Sequence, residues 1–207
     1  MGTLTLDYAA PASEAQLEAL ASKLREHNFE AVIVNDGAEA KAEVVKRIPA
    51  GATIHSGKSK TLEDADIFRH LMEGEEFDFI RKRTMKLDRM KDRDEMRRMG
   101  AAPDVMLGSA HAITQDGRIV ITSASGSQIG PIASGAGKLI LVIGSQKVVP
   151  DLDAAFRRIN EHVFPYEDAR LRETLGVGTK STRTLILDQD FMPGRTTVIL
   201  VRQPIGV

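Results

Sequence analysis

Leu139-Ile140-Leu141-Val142-Ile143 is an unbroken apolar run of strand length, with Gly135-Ala136-Gly137-Lys138 before it and Gly144-Ser145-Gln146-Lys147 after it. A run without polar alternation reads as a strand buried on both faces, and such strands belong to parallel sheets covered by helices. The preceding chain has the matching rhythm of helix and strand. Ser13 can cap a helix whose apolar positions Leu17, Leu20, Ala21 and Leu24 recur at three and four, and Phe29 to Val34 reads as a strand. Asp36 starts a second helix carrying Val44, Val45 and Ile48. Pro49-Ala50-Gly51 then turns the chain into a short buried strand, Ala52-Thr53-Ile54-His55.

Lys60 to Met72 reads as one helix, stopped at Glu73-Gly74 by a glycine cap. Arg81 to Met99, with charges of both signs around Met85, Leu87, Met90, Met96 and Met99, reads as a solvated amphipathic helix rather than a partner-binding or basic surface, and its methionines as core filler rather than a cofactor box. Val105 to Ile113 and Arg118 to Thr122 are two apolar runs joined at Gln115-Asp116-Gly117, a hairpin or bent strand pair. Pro150 opens a helix running through Leu152, Ala155, Phe156 and Ile159 toward Val163. Gly176 to Ser181 is a flexible loop, and Arg183 to Leu187 and Thr196 to Val201 are late strands. These elements predict an α/β fold with a doubly wound, mostly parallel sheet, whose ligands bind outside the carboxyl ends of the strands.

At 207 residues the chain is expected to form one domain, with a helix-rich part over residues 1–100 and a second part over residues 104–207. A net charge of -1 gives no general pull toward nucleic acid or anionic membrane, so neither is an expected partner and any anion site must be local. The absence of cysteine excludes, within this chain, a disulfide framework, a thiolate zinc site, a cysteine nucleophile and a cysteine-held iron–sulfur cluster. The start, Met1 to Asp7, lacks the basic and apolar regions of a signal peptide, and no apolar stretch approaches the roughly 20 residues of a membrane span. The cytoplasm is the expected location.

Two loops stand out. Ser56-Gly57-Lys58-Ser59, between a strand and a helix, offers backbone donors, hydroxyls and a lysine to a carboxylate or phosphate; the same residues also make a plain helix cap. The Walker pattern is not met, because Ala52 stands where its first glycine would be. The segment from Thr122 through Ser125, Gly126, Ser127, Gln128 and Gly130 has the flexibility and hydroxyls to wrap a small polar ligand, or to make a tight surface turn. Lys138 is either an anion contact or part of a helix-to-strand turn. The histidines His27, His55, His70, His111 and His162 show no metal-ligand spacing, so no metal or other cofactor is expected. His111 reads as a hydrogen-bonded core histidine rather than a base. Of Glu63, Asp64 and Asp66, Glu63 could face the lysine loop and is the weak candidate for a catalytic base. Acidic residues early in a helix are also expected on dipole grounds.

Asp104-Val105-Met106-Leu107-Gly108-Ser109-Ala110-His111-Ala112-Ile113-Thr114-Gln115-Asp116-Gly117 and Val142-Ile143-Gly144-Ser145-Gln146-Lys147-Val148-Val149-Pro150-Asp151-Leu152 closely resemble the lactate-utilisation (LUD) family, which includes lactate-utilisation protein C. The helix with Ala155, Phe156, Arg157, Arg158 and Ile159 and the ending Pro193 to Val201 resemble its short members; Ser56 to Leu71 matches loosely. The resemblance implies a fold similar to ribose-phosphate isomerase and CoA-transferase domains, and a part in oxidising lactate to pyruvate beside iron–sulfur partner proteins. Two departures matter. Leu171 to Thr184 lacks the cysteine-rich segment of many short relatives, and Ser127-Gln128 stands where relatives tend to have an asparagine-arginine pair, which removes a bidentate anion clamp. Three functions follow as alternatives: a LUD-type protein binding a small carboxylate or phosphate; an independent sugar-phosphate isomerase or acyl-CoA transferase-like enzyme; and a non-catalytic assembly protein using the Arg81 to Met99 helix. Self-association into a homo-oligomer fits any of them.

Overall fold

The structure is a computed structural model that describes residues 7–88 and 90–207. Met1 to Leu6, which carry most of the reading against a signal peptide, and Arg89, inside the expected Arg81 to Met99 helix, lie outside the described residues. The chain runs α1 (Glu14–Glu26), β1 (Glu30–Val34), α2 (Gly37–Arg47), β2 (Thr53–Ser56), α3 (Lys60–Asp64), α4 (Ile67–Glu73), β3 (Asp78–Phe79), α5 (Ile80–Thr84), α6 (Arg93–Ala101) and β4 (Val105–Gly108). It continues with β5 (Ala112–Thr114), β6 (Ile119–Ser123), β7 (Lys138–Gly144), β8 (Val148–Val149), α7 (Leu152–Arg158), α8 (Phe164–Leu175), β9 (Arg183–Leu187) and β10 (Thr196–Val201).

Helix starts follow local chemistry. Ser13 and Gln16 close a reciprocal capping box on α1, and the Asp36 carboxylate accepts the Ala38 and Glu39 amides at 2.9 Å at the head of α2. Six strands form an all-parallel sheet in the order β1-β10-β7-β4-β2-β3. Because side chains alternate across a strand, β7 sends Leu139, Leu141 and Ile143 into one core with α1, and Ile140 and Val142 into the other with α2, α3 and α4. This is the doubly wound α/β arrangement. A second sheet, β8-β5-β6-β9, covers the α1 side: β5 and β6 form the hairpin about Gly117, whose φ of 91° suits glycine, and α7 packs Ala154 and Ala155 against it.

The structure corrects several local expectations. Val105 to Ile113 is not one strand: β4 pairs in parallel with β2 and β7, then the chain leaves at Ser109 and enters the second sheet at Ala112. Lys60 to Met72 is broken at Asp66, which adopts a left-handed conformation (φ 58°) and binds Lys41 and Arg69. The stop at Gly74 is an extended residue rather than a left-handed cap. Arg81 to Met99 holds two short helices around a turn in which Asp88 accepts the Met90 and Lys91 amides. Met85 and Met90 are exposed there, Met90 at 86%, so they are not core filler. The helix begun at Leu152 continues past Val163 to Leu175 through a π-helical turn at Ile159–Val163, where Pro165 lacks the N–H that an α-helical bond to Glu161 needs. Among the described residues no helix is long and apolar enough to cross a membrane.

Candidate functional site

β2, β4 and β7 end at Ser56, Gly108 and Gly144, and the segments that follow them converge on a cleft of about 320 Å³ at the carboxyl edge of the parallel sheet. Gly57 to Thr61 follow β2, Ser109 to His111 follow β4, and Lys147 follows β7. The second sheet adds Thr122 to Ser125, Ser127 and Gln128; α8 adds Tyr166, Glu167 and Arg170; Thr179 to Ser181 close the rim.

Lys147 lies at the floor, 3% exposed. Its Nζ donates to Thr61 Oγ1 (2.7 Å), Ser109 Oγ (3.0 Å) and the Ala110 carbonyl (3.2 Å), none of which carries a charge. Burial, reinforced by the Arg158 guanidinium and opposed by Asp64, brings the ammonium down to about 7. Gln146 Nε2 binds the Ile205 carbonyl at 2.8 Å and so pins the last residues beside the amine. Gly206 there has a φ of 77°, and a Cβ on it would stand 3.0 Å from Lys147 Nζ.

His111 and Arg158 complete this interior. His111 Nδ1 accepts the Thr122 amide at 3.1 Å, which places the ring proton on Nε2. Burial, with Lys147 and Arg158 nearby, brings His111 down to about 3, so the ring is neutral. It borders the cleft from a loop between two strands, hydrogen-bonded as expected but not inside a strand. Arg158 is fully buried; Nη1 donates to the His111 carbonyl at 2.6 Å, while Nε and Nη2 have no partner among the described residues. Burial lowers it to about 10, which leaves it charged at neutral pH.

Of the residues singled out in sequence, Gly57, Lys58, Ser59, Thr122, Ser125, Ser127 and Gln128 border the cleft. Glu63 borders it too, its Oε1 3.9 Å from Lys58 Nζ. The two loops meet: a Cβ on Gly57 would stand 2.5 Å from Gln128 Oε1. Ser59 also caps α3, accepting the Leu62 amide at 3.4 Å, so both readings of that loop apply to it. Ser56 is buried at the end of β2 and does not reach the cleft. Gly126 and Gly130 shape their loop without bordering it; Gly126 (φ 77°) lies against Arg183. Lys138 begins β7, at the opposite edge of the sheet, and is no part of this site. Lys147, Thr61 and Ser109 went unrecognised in sequence, although the first and last stand inside the resembling motifs.

The cleft is lined by five basic side chains, Lys58, Lys60, Lys147, Arg170 and Lys180, against the acidic Glu63 and Glu167. Arg170 is clamped on Glu167 at 2.8 and 2.5 Å, and Lys60 is paired with Asp64. Lys147 is the one basic group of the set that is withdrawn from solvent and has no acidic partner in contact.

A six-stranded parallel sheet with helices on one face and helix plus sheet on the other, opening at its carboxyl edge, defines a doubly wound α/β protein. The LUD domain model matches residues 17–201, and the chain belongs to that family. A crystal structure of a DUF162 family protein from Deinococcus radiodurans has the same fold: TM-score 0.57 at 14% identity, over 92% of this chain and 99% of that one. No curated protein matches.

Proposed function

We propose that this LUD-domain chain binds a small carboxylate or phosphate ligand in the carboxyl-edge cleft, as one component of a lactate-oxidising system. The observation that carries the binding reading is Lys147, a buried amine at the floor of an open cleft, held by neutral groups and matched by no acidic side chain in contact. A buried cation of this kind is costly unless something compensates it. An anion in the cleft would do so, with Lys58 and Lys180 at the rim to draw it in. The lactate assignment rests on family membership. Since the chain holds no cysteine, any iron–sulfur chemistry in such a system falls to partner proteins.

A thermal-shift series with lactate, pyruvate, inorganic phosphate, sugar phosphates and CoA compounds tests this. Ligand at about 100 times its dissociation constant adds roughly 2.7 kcal/mol, a shift of several degrees for a chain of this size. A response to lactate or pyruvate supports the reading; no response to any of these anions refutes it. Glu63 beside Lys58 keeps an independent enzyme in view as a second reading. Turnover of a sugar phosphate or acyl-CoA by the isolated chain would establish that one instead.

A further inference from the structure

We propose that Lys147 Nζ attacks the carbonyl carbon of a small anionic carbonyl compound, an α-keto acid or a keto phosphate, held in the cleft, and condenses with it to an imine. The inference rests on the anion-binding reading above and adds a covalent step to it.

Three features of the geometry support the step. First, Lys147 lines a cavity of about 320 Å³, room enough for a small ligand, and at 3% exposure its side chain is nearly withdrawn from water. Second, its cage contains no carboxylate that would lock it as an ammonium. Thr61 and Ser109 offer hydroxyls, and a hydroxyl can turn from acceptor to donor, so the cage satisfies the ammonium and the free amine alike. The only obligatory acceptor is the Ala110 carbonyl. Third, the charges facing the amine favour its free form: Arg158 from α7 repels the proton more than Asp64 from α3 retains it, and His111 beside it is neutral. A lysine desolvated next to another cation is the recognised way to make an amine nucleophilic at neutral pH. Of the other basic groups of the lining, Lys180, which has no ion-pair partner among the described residues, and Lys58, held by Glu63 only at 3.9 Å, supply the anionic preference, while Lys60 and Arg170 are neutralised by Asp64 and Glu167.

The step balances. The nitrogen lone pair forms the C–N bond as the carbonyl π pair moves to oxygen; nitrogen gives up a proton and oxygen takes one, relayed by the Thr61 or Ser109 hydroxyl, to give a carbinolamine. A further proton lets its hydroxyl leave as water. Amine, carbonyl compound and one proton yield a protonated imine and one water, with nothing oxidised or reduced.

The test incubates the full chain separately with pyruvate, glyoxylate and dihydroxyacetone phosphate in the presence of cyanoborohydride, which reduces an imine to a stable secondary amine. Proteolysis and mass spectrometry then locate the adduct, and a parallel melt records binding. The expected result is a saturable adduct on Lys147 ahead of the exposed lysines, formed faster as pH rises through about 7, and absent from Lys147→Met. Which compound labels separates keto acid from keto phosphate. A compound that raises the melting temperature but leaves Lys147 unlabelled, or labels lysines in proportion to their exposure, overturns the imine while binding stands. If no compound of the three either shifts the melt or labels, the imine is overturned, and the anion-binding reading falls with it unless lactate, inorganic phosphate, another sugar phosphate or a CoA compound still shifts the melt. Mapping on the unaltered chain decides the matter even if the methionine variant fails to fold.

Discussion

Replacing Lys147 by methionine should make the stability difference between variant and parent depend on pH in a way that reads the buried amine directly. Lysine is ordinarily protonated up to 10.5, and in this fold Lys147 is brought down to about 7. A factor of ten in proton affinity is worth about 1.4 kcal/mol, so carrying the charge in the folded state costs about 5 kcal/mol relative to the unfolded chain. The unfolded chain binds this proton more tightly, so the cost is present in full below about pH 7. As pH rises from about 7 to 10.5 the folded chain has released the proton while the unfolded chain retains it, and parental stability climbs by about 1.4 kcal/mol per pH unit. Methionine has similar length and no charge, so it gains most at acid pH. It also removes the donor to Thr61, Ser109 and the Ala110 carbonyl, at roughly 1–3 kcal/mol for each that cleft water does not reach, which can offset the whole gain. The offset does not vary with pH and the slope does. Urea unfolding of both proteins near pH 6, 7.5 and 9 therefore suffices. The variant should lose ground against the parent by about 2–3 kcal/mol over that span, and a constant difference would refute the depressed amine and everything built on it.

Arg158→Met removes the cation that most disfavours the Lys147 proton after burial itself, so the midpoint of the same pH dependence should move upward; an unmoved midpoint would mean that burial alone sets it. Lys58→Ala should weaken binding of pyruvate or phosphate in a calorimetric titration and leave the fold intact, because its half-exposed pair with Glu63 is worth less than about 1 kcal/mol. Unchanged affinity would remove Lys58 from the site. Gly206→Ala, at a left-handed φ and within 3.0 Å of Lys147 Nζ, should cost roughly 1–3 kcal/mol in urea unfolding and abolish the ligand-induced thermal shift. Asp36→Ala should cost about 1 kcal/mol without touching ligand response, since it strips the cap of α2 far from the cleft chemistry.

The elements legible in sequence were those decided locally. Ser13 with Gln16 and Asp36 with Ala38 fix helix starts through bonds two or three residues long, and the unalternating Leu139 to Ile143 run has only one comfortable environment, a strand between two cores. The misread elements were settled by distant partners. No periodicity within Val105 to Ile113 says that its first half pairs with β2 and β7 while its second half pairs with β6 and β8. At the break, Asp66 is bound by Lys41, 25 residues away, as well as by the nearby Arg69.

The same division runs through the candidate site. Gly57 to Ser59 and Thr122 to Gln128 carry the composition of ligand loops, and all of them but Gly126 border the cleft. Lys147 looks like a polar residue ending a strand, because its burial is made by Thr61 and Ala110, which lie 86 and 37 residues earlier. Yet β7 is flanked by two lysines, Lys138 at its amino end and Lys147 three residues past its carboxyl end, and in sequence only the first carries an anion-contact alternative, beside the simpler turn. In a parallel sheet every strand points the same way, so all the loops that can share a ligand emerge from the carboxyl edge. Once β7 is recognised as a central parallel strand from its lack of alternation, that rule alone ranks Lys147 above Lys138. The strand's direction, rather than the composition of its flanking glycine turns, is the stronger guide to which lysine borders the cleft.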